Sequence, residues 1–141
     1  MQDLFPETNQ ILALLSKGVE QDLVILAVPS HDKKGRELPE GVQQDWHDRA
    51  MTVFAELYVG ATSFMSHEGI YKDDEGRIHK DTPLIIESFA RIDAIEDPLK
   101  LNKLVDLARM MVREMNQDSI MLVFGKAMFY IKDSVAQKVE A

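Results

Sequence analysis

The sequence has 141 residues, with 24 Asp and Glu against 16 Lys and Arg, so its formal net charge is -8. Its length and its 45% hydrophobic content are those of one ordinary globular domain. The acidic excess argues against binding to nucleic acid or to an anionic membrane, because both require clustered Lys and Arg. The absence of Cys excludes disulfides, thiol nucleophiles and thiolate zinc sites.

Residues 1–18 are predicted to form a leading segment with one short helix. A polar start is followed by an apolar run, and Gly18 stands at its end. No basic cluster precedes this run as in a secretory signal, and no apolar stretch approaches the ~20 residues that span a bilayer. We therefore expect a cytoplasmic protein with no membrane partner.

Residues 22–131 are predicted to form an α+β core. The aliphatic run 23–28 is typical of a buried strand. After a polar loop, apolar residues at spacings of three and four predict a helix from about Glu40 to Tyr58. The residues of this stripe are Val42, Trp46, Ala50, Val53, Phe54 and Leu57.

The stretches 61–71 and 77–90 are predicted to be the two strands of a hairpin. Both are rich in residues that favour strands, and an acidic turn with Gly76 separates them. Pro83 cannot donate to a strand ladder. It therefore marks an edge position, a bulge or the true start of the paired part.

A second long helix is predicted to begin at Asp97 and Pro98 and to end at Asn116. Asp accepts hydrogen bonds from the free amides of a first turn, and Pro at the first helical position loses no bond. Two short strands, 120–124 and 127–131, should follow. Gly125 stands first in the two-residue loop between them, which favours a type II′ turn.

The order strand, helix, strand, strand, helix, strand is the split βαβ order of a ferredoxin-like fold. We therefore predict a single α+β domain over residues 1–141. It has a mostly antiparallel sheet with two long helices on one face and an added C-terminal strand. Residues 132–141 are predicted to be a weakly patterned tail.

No motif in the sequence names a reaction, and none implies a cofactor or a metal. The four His residues include no pair three or four positions apart, as ligands on one helix face would be. Glu68 and Glu87 lie in or beside apolar segments, where burial would suit a general acid or base. Strand alternation can also turn Glu87 to water, which is the simpler interpretation.

Gln117 lies where the second long helix ends and the next strand begins. Backbone carbonyls and amides both lack partners at such a junction, and a side-chain amide can bond to each. We expect Gln117 to be at least half buried. We also expect it to bond main-chain atoms of the first helix or of residues 60–62.

Several short motifs resemble those of an uncharacterised bacterial family of small α+β proteins, a domain of unknown function. They are Trp46 and Phe54, Gly60-Ala61-Thr62, Glu68-Gly69-Ile70-Tyr71, the acidic turn with Gly76, and Asn116-Gln117-Asp118-Ser119-Ile120. The family usually has Trp in place of Tyr71. The resemblance implies the fold and points to Thr62, Glu68, Tyr71 and Gln117, but it implies no reaction.

The sequence leaves two main functions open. The first is a non-catalytic binding or interaction module, a homo-oligomer that self-associates through the open face of its sheet unless the leading helix covers that face. The second is a small-molecule enzyme with a cleft between the hairpin and the first helix. There His67 or Glu68 would be the acid or base, and Thr62, Tyr71 and Gln117 would orient the substrate. A third hypothesis, an acidic inhibitor of a basic protein, rests on net charge alone.

Overall fold

A computed structural model of the chain describes residues 7–10 and 20–133. The elements in chain order are β1 (Gln21–Val28), α1 (Val42–Tyr58), β2 (Thr62–Met65), β3 (Gly69–Lys72), β4 (Ile78–Asp81), β5 (Leu84–Arg91), α2 (Ile92–Ile95), α3 (Pro98–Glu114), β6 (Ile120–Phe124) and β7 (Ala127–Ile131). Residues 8–10 are helical, and the rest of the predicted leading helix lies outside the described residues, as does most of the predicted tail. No helix in the described ranges is long and apolar enough to cross a membrane.

Five strands form one antiparallel sheet in the order β2-β5-β1-β6-β7. The central strand β1 pairs with β5 along its whole length and with β6 over residues 24–26. The strands β1, β2, β5 and β6 with the helices α1 and α3 follow the split βαβ order, and β7 extends the sheet beyond β6. The predicted ferredoxin-like α+β fold with an added C-terminal strand is therefore confirmed.

The core lies between one face of this sheet and the two long helices. Alternate residues of the central strands face the helices and are buried, since successive strand residues point to opposite faces. They are Val24, Leu26, Val28, Ile86, Ala90, Ile120 and Leu122. Phe54 and Trp46 of α1 and Met111 of α3 pack against them, so these two aromatic residues of the predicted apolar stripe are core residues.

The hairpin predicted over 61–71 and 77–90 is present, but both of its strands are interrupted. β2 pairs with β5, and β3 pairs with β4 in a separate two-stranded ladder. The prediction of two continuous strands was wrong because Pro83, which has no N–H, ends one ladder just before β5 begins at Leu84. The hairpin therefore has one part in the main sheet and a distal arm, residues 69–81.

Each of the two long helices is followed by a non-glycine residue with a positive φ. α3 ends in a Schellman motif, in which Asn116 has a φ of 54° and the amide of Gln117 donates to the carbonyl of Val112 at 2.9 Å. α1 ends at Tyr58 as predicted, and Val59 rather than Gly60 turns the chain after it, with a φ of 78°. A β-branched residue in this region is strained, and Val59 is 91% exposed.

Candidate functional site

Two turns with the same sequence pattern lie at the end of the molecule where β1 leaves the sheet. Asp32-Lys33-Lys34-Gly35-Arg36 follows β1, and Asp73-Asp74-Glu75-Gly76-Arg77 joins β3 to β4. In each turn the Asp Oδ1 accepts hydrogen bonds from the amides two and four residues later, at 2.8–3.0 Å. The second oxygen accepts from the Arg Nε, at 3.0 Å in the first turn and 2.9 Å in the second. One D-x-x-G-R pattern thus forms the same turn twice.

These hydrogen bonds favour the ionised form of both Asp side chains. The His79 ring bonds Asp73 at 2.8 Å, and this bond is the main reason why the pKa of Asp73 lies well below its ordinary value of 3.8. Burial raises the pKa of Asp32, but the amides of Arg36 and Lys34 together with the Arg36 guanidinium outweigh burial, so the net shift is downward. Both turns therefore hold a carboxylate at neutral pH.

Ser30 and Asp81 connect the distal arm to the loop after β1. The Asp81 carboxylate accepts from the Ser30 amide at 2.7 Å and from the Ser30 hydroxyl at 2.5 Å. His31 Nδ1 lies 2.7 Å from the same hydroxyl. These contacts bring the two turns together, and a Cβ built on Gly35 would lie 3.2 Å from His79 Nδ1.

Ser30, His31 and Asp81 have the composition of a nucleophilic triad but not its order. In such a triad the imidazole lies between the hydroxyl and the carboxylate, so that it can take the hydroxyl proton. Here the hydroxyl lies between the other two groups, and it also accepts from the Thr82 amide at 2.9 Å. The three side chains therefore position the distal arm.

Tyr71 and Gln117 both border this loop. The Tyr71 ring stacks on His79, with centroids 5.0 Å apart, and burial followed by the nearby carboxylates, Asp81 first, raises the pKa of Tyr71. Gln117 Nε2 donates to the carbonyls of His31 at 2.7 Å and Met115 at 3.0 Å. Tyr71 is thus a neutral hydrogen-bond donor here.

The expected main-chain bonding of Gln117 is confirmed, but the expected partner was wrong. Neither the first helix nor residues 60–62 receive its side chain, because the Schellman end of α3 directs the chain toward the loop after β1. The carbonyl of Asn116 accepts from the amide of Lys33 at 2.9 Å in the same contact. Gln117 therefore connects α3 to the first D-x-x-G-R turn.

The other three predicted site residues lie elsewhere. Thr62 is exposed at the start of β2, opposite Glu87 in the neighbouring strand. His67 and Glu68 are exposed in the connection between β2 and β3, where Glu68 lies 3.9 Å from Lys80. The five candidate side chains therefore do not converge on one cleft.

A cavity of about 870 Å³ lies at the C-terminal end of α1, between this helix, the hairpin and α2. Of the predicted site residues only Thr62 lines it, together with Tyr58, Val59, Glu87 and Phe89 among others. Tyr58 is 5% exposed, and its hydroxyl has no hydrogen-bond partner in the described part of the chain. Burial raises the pKa of Tyr58 to about 12.

An unpaired buried hydroxyl costs about 1–3 kcal/mol, which a ligand or water bonded to it would recover. The strained Val59 stands on the wall of the same cavity, and such strain is concentrated at functional sites. This cavity lies between the first helix and the hairpin, where the second hypothesis expected a cleft, but no sequence pattern marks the wall residues 57–61. The repeated D-x-x-G-R pattern, in contrast, was readable in the sequence.

No family model and no curated protein matches the chain. A phage SAM lyase in complex with S-methyl-5′-thioadenosine shares its fold with a TM-score of 0.57 at 10% identity, over 82% of this chain and 92% of that chain. A phage SAM lyase in the apo state matches with a TM-score of 0.53 at 12% identity, over the same shares of 82% and 92%. The divalent ion tolerance protein CutA1 from Ehrlichia chaffeensis aligns with a TM-score of 0.34 at 16% identity, over 83% of this chain and 86% of that chain. At such identities the two lyase structures establish the fold, and the chain is a ferredoxin-like α+β protein.

We expect Gln117→Ala to lower the free energy of unfolding by about 1–3 kcal/mol, because two carbonyls lose their donor. Urea unfolding followed by circular dichroism measures the change. Gln44→Ala is the matched control, since this exposed amide bonds only His47 and Asp48 on its own helix. A Gln117→Ala protein as stable as the Gln44→Ala protein would contradict the structural role.

We also expect Asp73→Asn to flatten the dependence of stability on pH in acid. The pKa of Asp73 is lowered in the folded chain, so its carboxylate contributes fully to stability above the unfolded pKa of about 3.9. This contribution declines as pH falls from there toward the lower pKa of the folded chain. Thermal unfolding from pH 5 down to acid measures this. Asp74→Asn changes the same charge in the same turn, and it should leave the profile of the parent unchanged.

Proposed function

We propose that the chain is a non-catalytic binding module that self-associates through the open face of its five-stranded sheet. The observation that supports this is the chemistry of the side chains pointing away from the helices. Most of them are apolar: Leu23, Ile25, Ala27, Phe64, Ile85, Phe89, Met121, Val123, Met128 and Tyr130. An apolar face of this extent is unusual on a soluble monomer.

Several side chains of this open face are strongly exposed. Phe89 is 65% exposed, Tyr130 63%, Met128 54% and Phe64 48%. Both long helices pack on the opposite face of the sheet, and within residues 20–133 no further element packs on this one. Burial of this face against a partner would remove it from water.

The distribution of charge favours a second copy of the chain as the partner of the open face. Apart from Arg91 at the end of β5, Glu87 is the only charged side chain that the five strands place on the open face. The whole chain carries a net charge of -8. Two copies therefore repel each other least where these faces meet, and identical faces form a self-complementary interface.

Phe89→Glu and Met128→Glu should each convert an oligomer into a monomer, because they place a charge in the buried face. Sedimentation velocity at micromolar concentration measures the change. Leu99→Glu is the matched control, since Leu99 is 74% exposed but lies on α3. It should sediment like the parent.

A monomeric parent protein would overturn the proposal and leave the predicted leading helix as the candidate cover. An oligomer that survives both substitutions would also contradict it, because a different surface would then form the contact. Membership of the uncharacterised bacterial family and a cytoplasmic location stay predictions beside this proposal.

A second candidate function is the binding and turnover of a nucleoside-bearing small molecule such as S-adenosylmethionine. It is favoured by the cavity at the end of α1, whose volume of about 870 Å³ suits such a ligand. The lyase structure of the same fold holds S-methyl-5′-thioadenosine. Phe89 and Glu87 line the cavity, and an aromatic ring with a carboxylate suits a cationic sulfonium.

This second function changes the residues expected to act. His67 and Glu68 lie outside the walls of the cavity, so Glu87 is the carboxylate available from the sheet. Thr62, Glu87 and Phe89 belong to the open face as well as to the cavity. A second copy bound to the open face would therefore border the cavity, so self-association is compatible with ligand binding there.

We expect Thr62→Trp to abolish binding of S-methyl-5′-thioadenosine, because the larger side chain fills the cavity. Isothermal titration calorimetry measures binding, and chromatography measures the loss of S-adenosylmethionine on incubation. Thr52→Trp adds the same side chain at an exposed position of α1 and should bind like the parent. A parent protein that neither binds nor consumes these compounds would exclude this function.

A further inference from the structure

A second cavity, of about 560 Å³, lies between the two D-x-x-G-R turns. Every charged or titratable side chain that lines it is basic: His31, Lys34, Arg77, His79 and Lys80. The chain as a whole has 24 acidic residues against 16 Lys and Arg. Lys34, Arg77 and Lys80 line the cavity and no carboxylate does. The charge of the lining is therefore opposite in sign to the net charge of the molecule.

The carboxylates of Asp73 and Asp81 lie beside the cavity and accept hydrogen bonds from the surrounding turns and side chains. Asp73 accepts from two amides of its turn, from Arg77 Nε and from His79 Nε2. Asp81 accepts from the amide and hydroxyl of Ser30. Neither carboxylate lines the cavity. Asp73 offsets the charge of Arg77, and Asp81 Oδ1 lies 3.6 Å from His31 Nδ1, so Lys34 and Lys80 supply the positive charge that faces a ligand.

The two imidazoles each keep one ring nitrogen for a ligand. His79 uses Nε2 for Asp73, which leaves Nδ1 on the side of Gly35. His31 uses Nδ1 for Ser30, which leaves Nε2. A side chain at Gly35 would contact His79 Nδ1, so glycine keeps this nitrogen accessible as well as permitting a φ of 81°.

The two lysines are the cations of the cavity that carboxylates engage least. Lys34 forms no ion pair with any described residue, and Lys80 is 69% exposed with one distant partner, Glu68 at 3.9 Å. Arg77 pairs with Asp73 and Glu75, so it holds the turn rather than a ligand. Lys ammonium groups bind phosphate as point charges and do not need a fixed geometry.

We propose that this cavity binds a phosphate group, carried either by free phosphate or by an organic phosphate. The lysines supply the charge. The free imidazole nitrogens are acceptors in the neutral rings that these contacts select, so they can accept from a phosphate hydroxyl. The strand β1 has eight residues and separates this cavity from the one at the end of α1, a distance of roughly 26 Å at the usual rise per residue. One small ligand therefore does not occupy both cavities.

The test uses the full chain with three probes: inorganic phosphate, adenosine monophosphate and adenosine. Calorimetry measures affinity, and amide chemical shifts locate the site. We expect phosphate and adenosine monophosphate to shift amides of residues 31–36 and 77–80, and adenosine to shift none of them. Tighter binding of adenosine monophosphate would identify an organic phosphate as the ligand, and equal affinity would identify free phosphate.

Ile78→Glu places a carboxylate in the cavity without altering either turn and should weaken phosphate binding by about tenfold or more through like-charge repulsion. Ile70→Glu is its matched control, because Ile70 lies on the same arm outside the cavity and is 65% exposed against 58% for Ile78. Lys34→Gln should also weaken binding, and Lys103→Gln on α3 should not. Three outcomes would overturn the proposal: equal effects of the paired variants, shifts of the amides of residues 31–36 and 77–80 by adenosine, or no shift of these amides by either phosphate.

Discussion

The missing N–H of Pro83 determines the shape of the functional part of the molecule. It ends the ladder of the hairpin, so the main sheet stops at β2 and β5 and the distal arm forms a ladder of its own. Asp81, just before this break, is thereby placed against Ser30 at the end of β1. The arm then faces the loop after β1, and the basic cavity lies between their two turns.

The elements of the fold were predictable because each depends on a local pattern. Asp97 with Pro98 marked the start of α3, and Asn116 marked its end. Gly125 has a φ of 61°, and the φ of Lys126 is not positive. These two angles agree with the type II′ turn expected from the position of Gly125. The backbone of Val59 was not predictable, because nothing local requires a β-branched residue to adopt a φ of 78°.

The candidate sites were less predictable because they depend on which distant segments meet. Gln117 was expected to bond main-chain atoms, and it does, but its partner depends on the direction in which the chain leaves α3. Thr62 and Tyr71 were expected in one cleft, and the break at Pro83 places them in different ladders. The basic cavity was hidden in an acidic sequence because its cations come from two segments that only the distal arm brings together.

The two cavities differ in their relation to the open face of the sheet. The cavity at the end of α1 shares Thr62, Glu87 and Phe89 with that face, so a second copy bound there would alter its walls and its access to water. The basic cavity shares no residue with the face and lies at the other end of β1. Self-association should therefore change ligand binding at the first cavity and leave the second unaffected. Shared contacts couple self-association directly to ligand binding, and in the described structure only the first cavity has them.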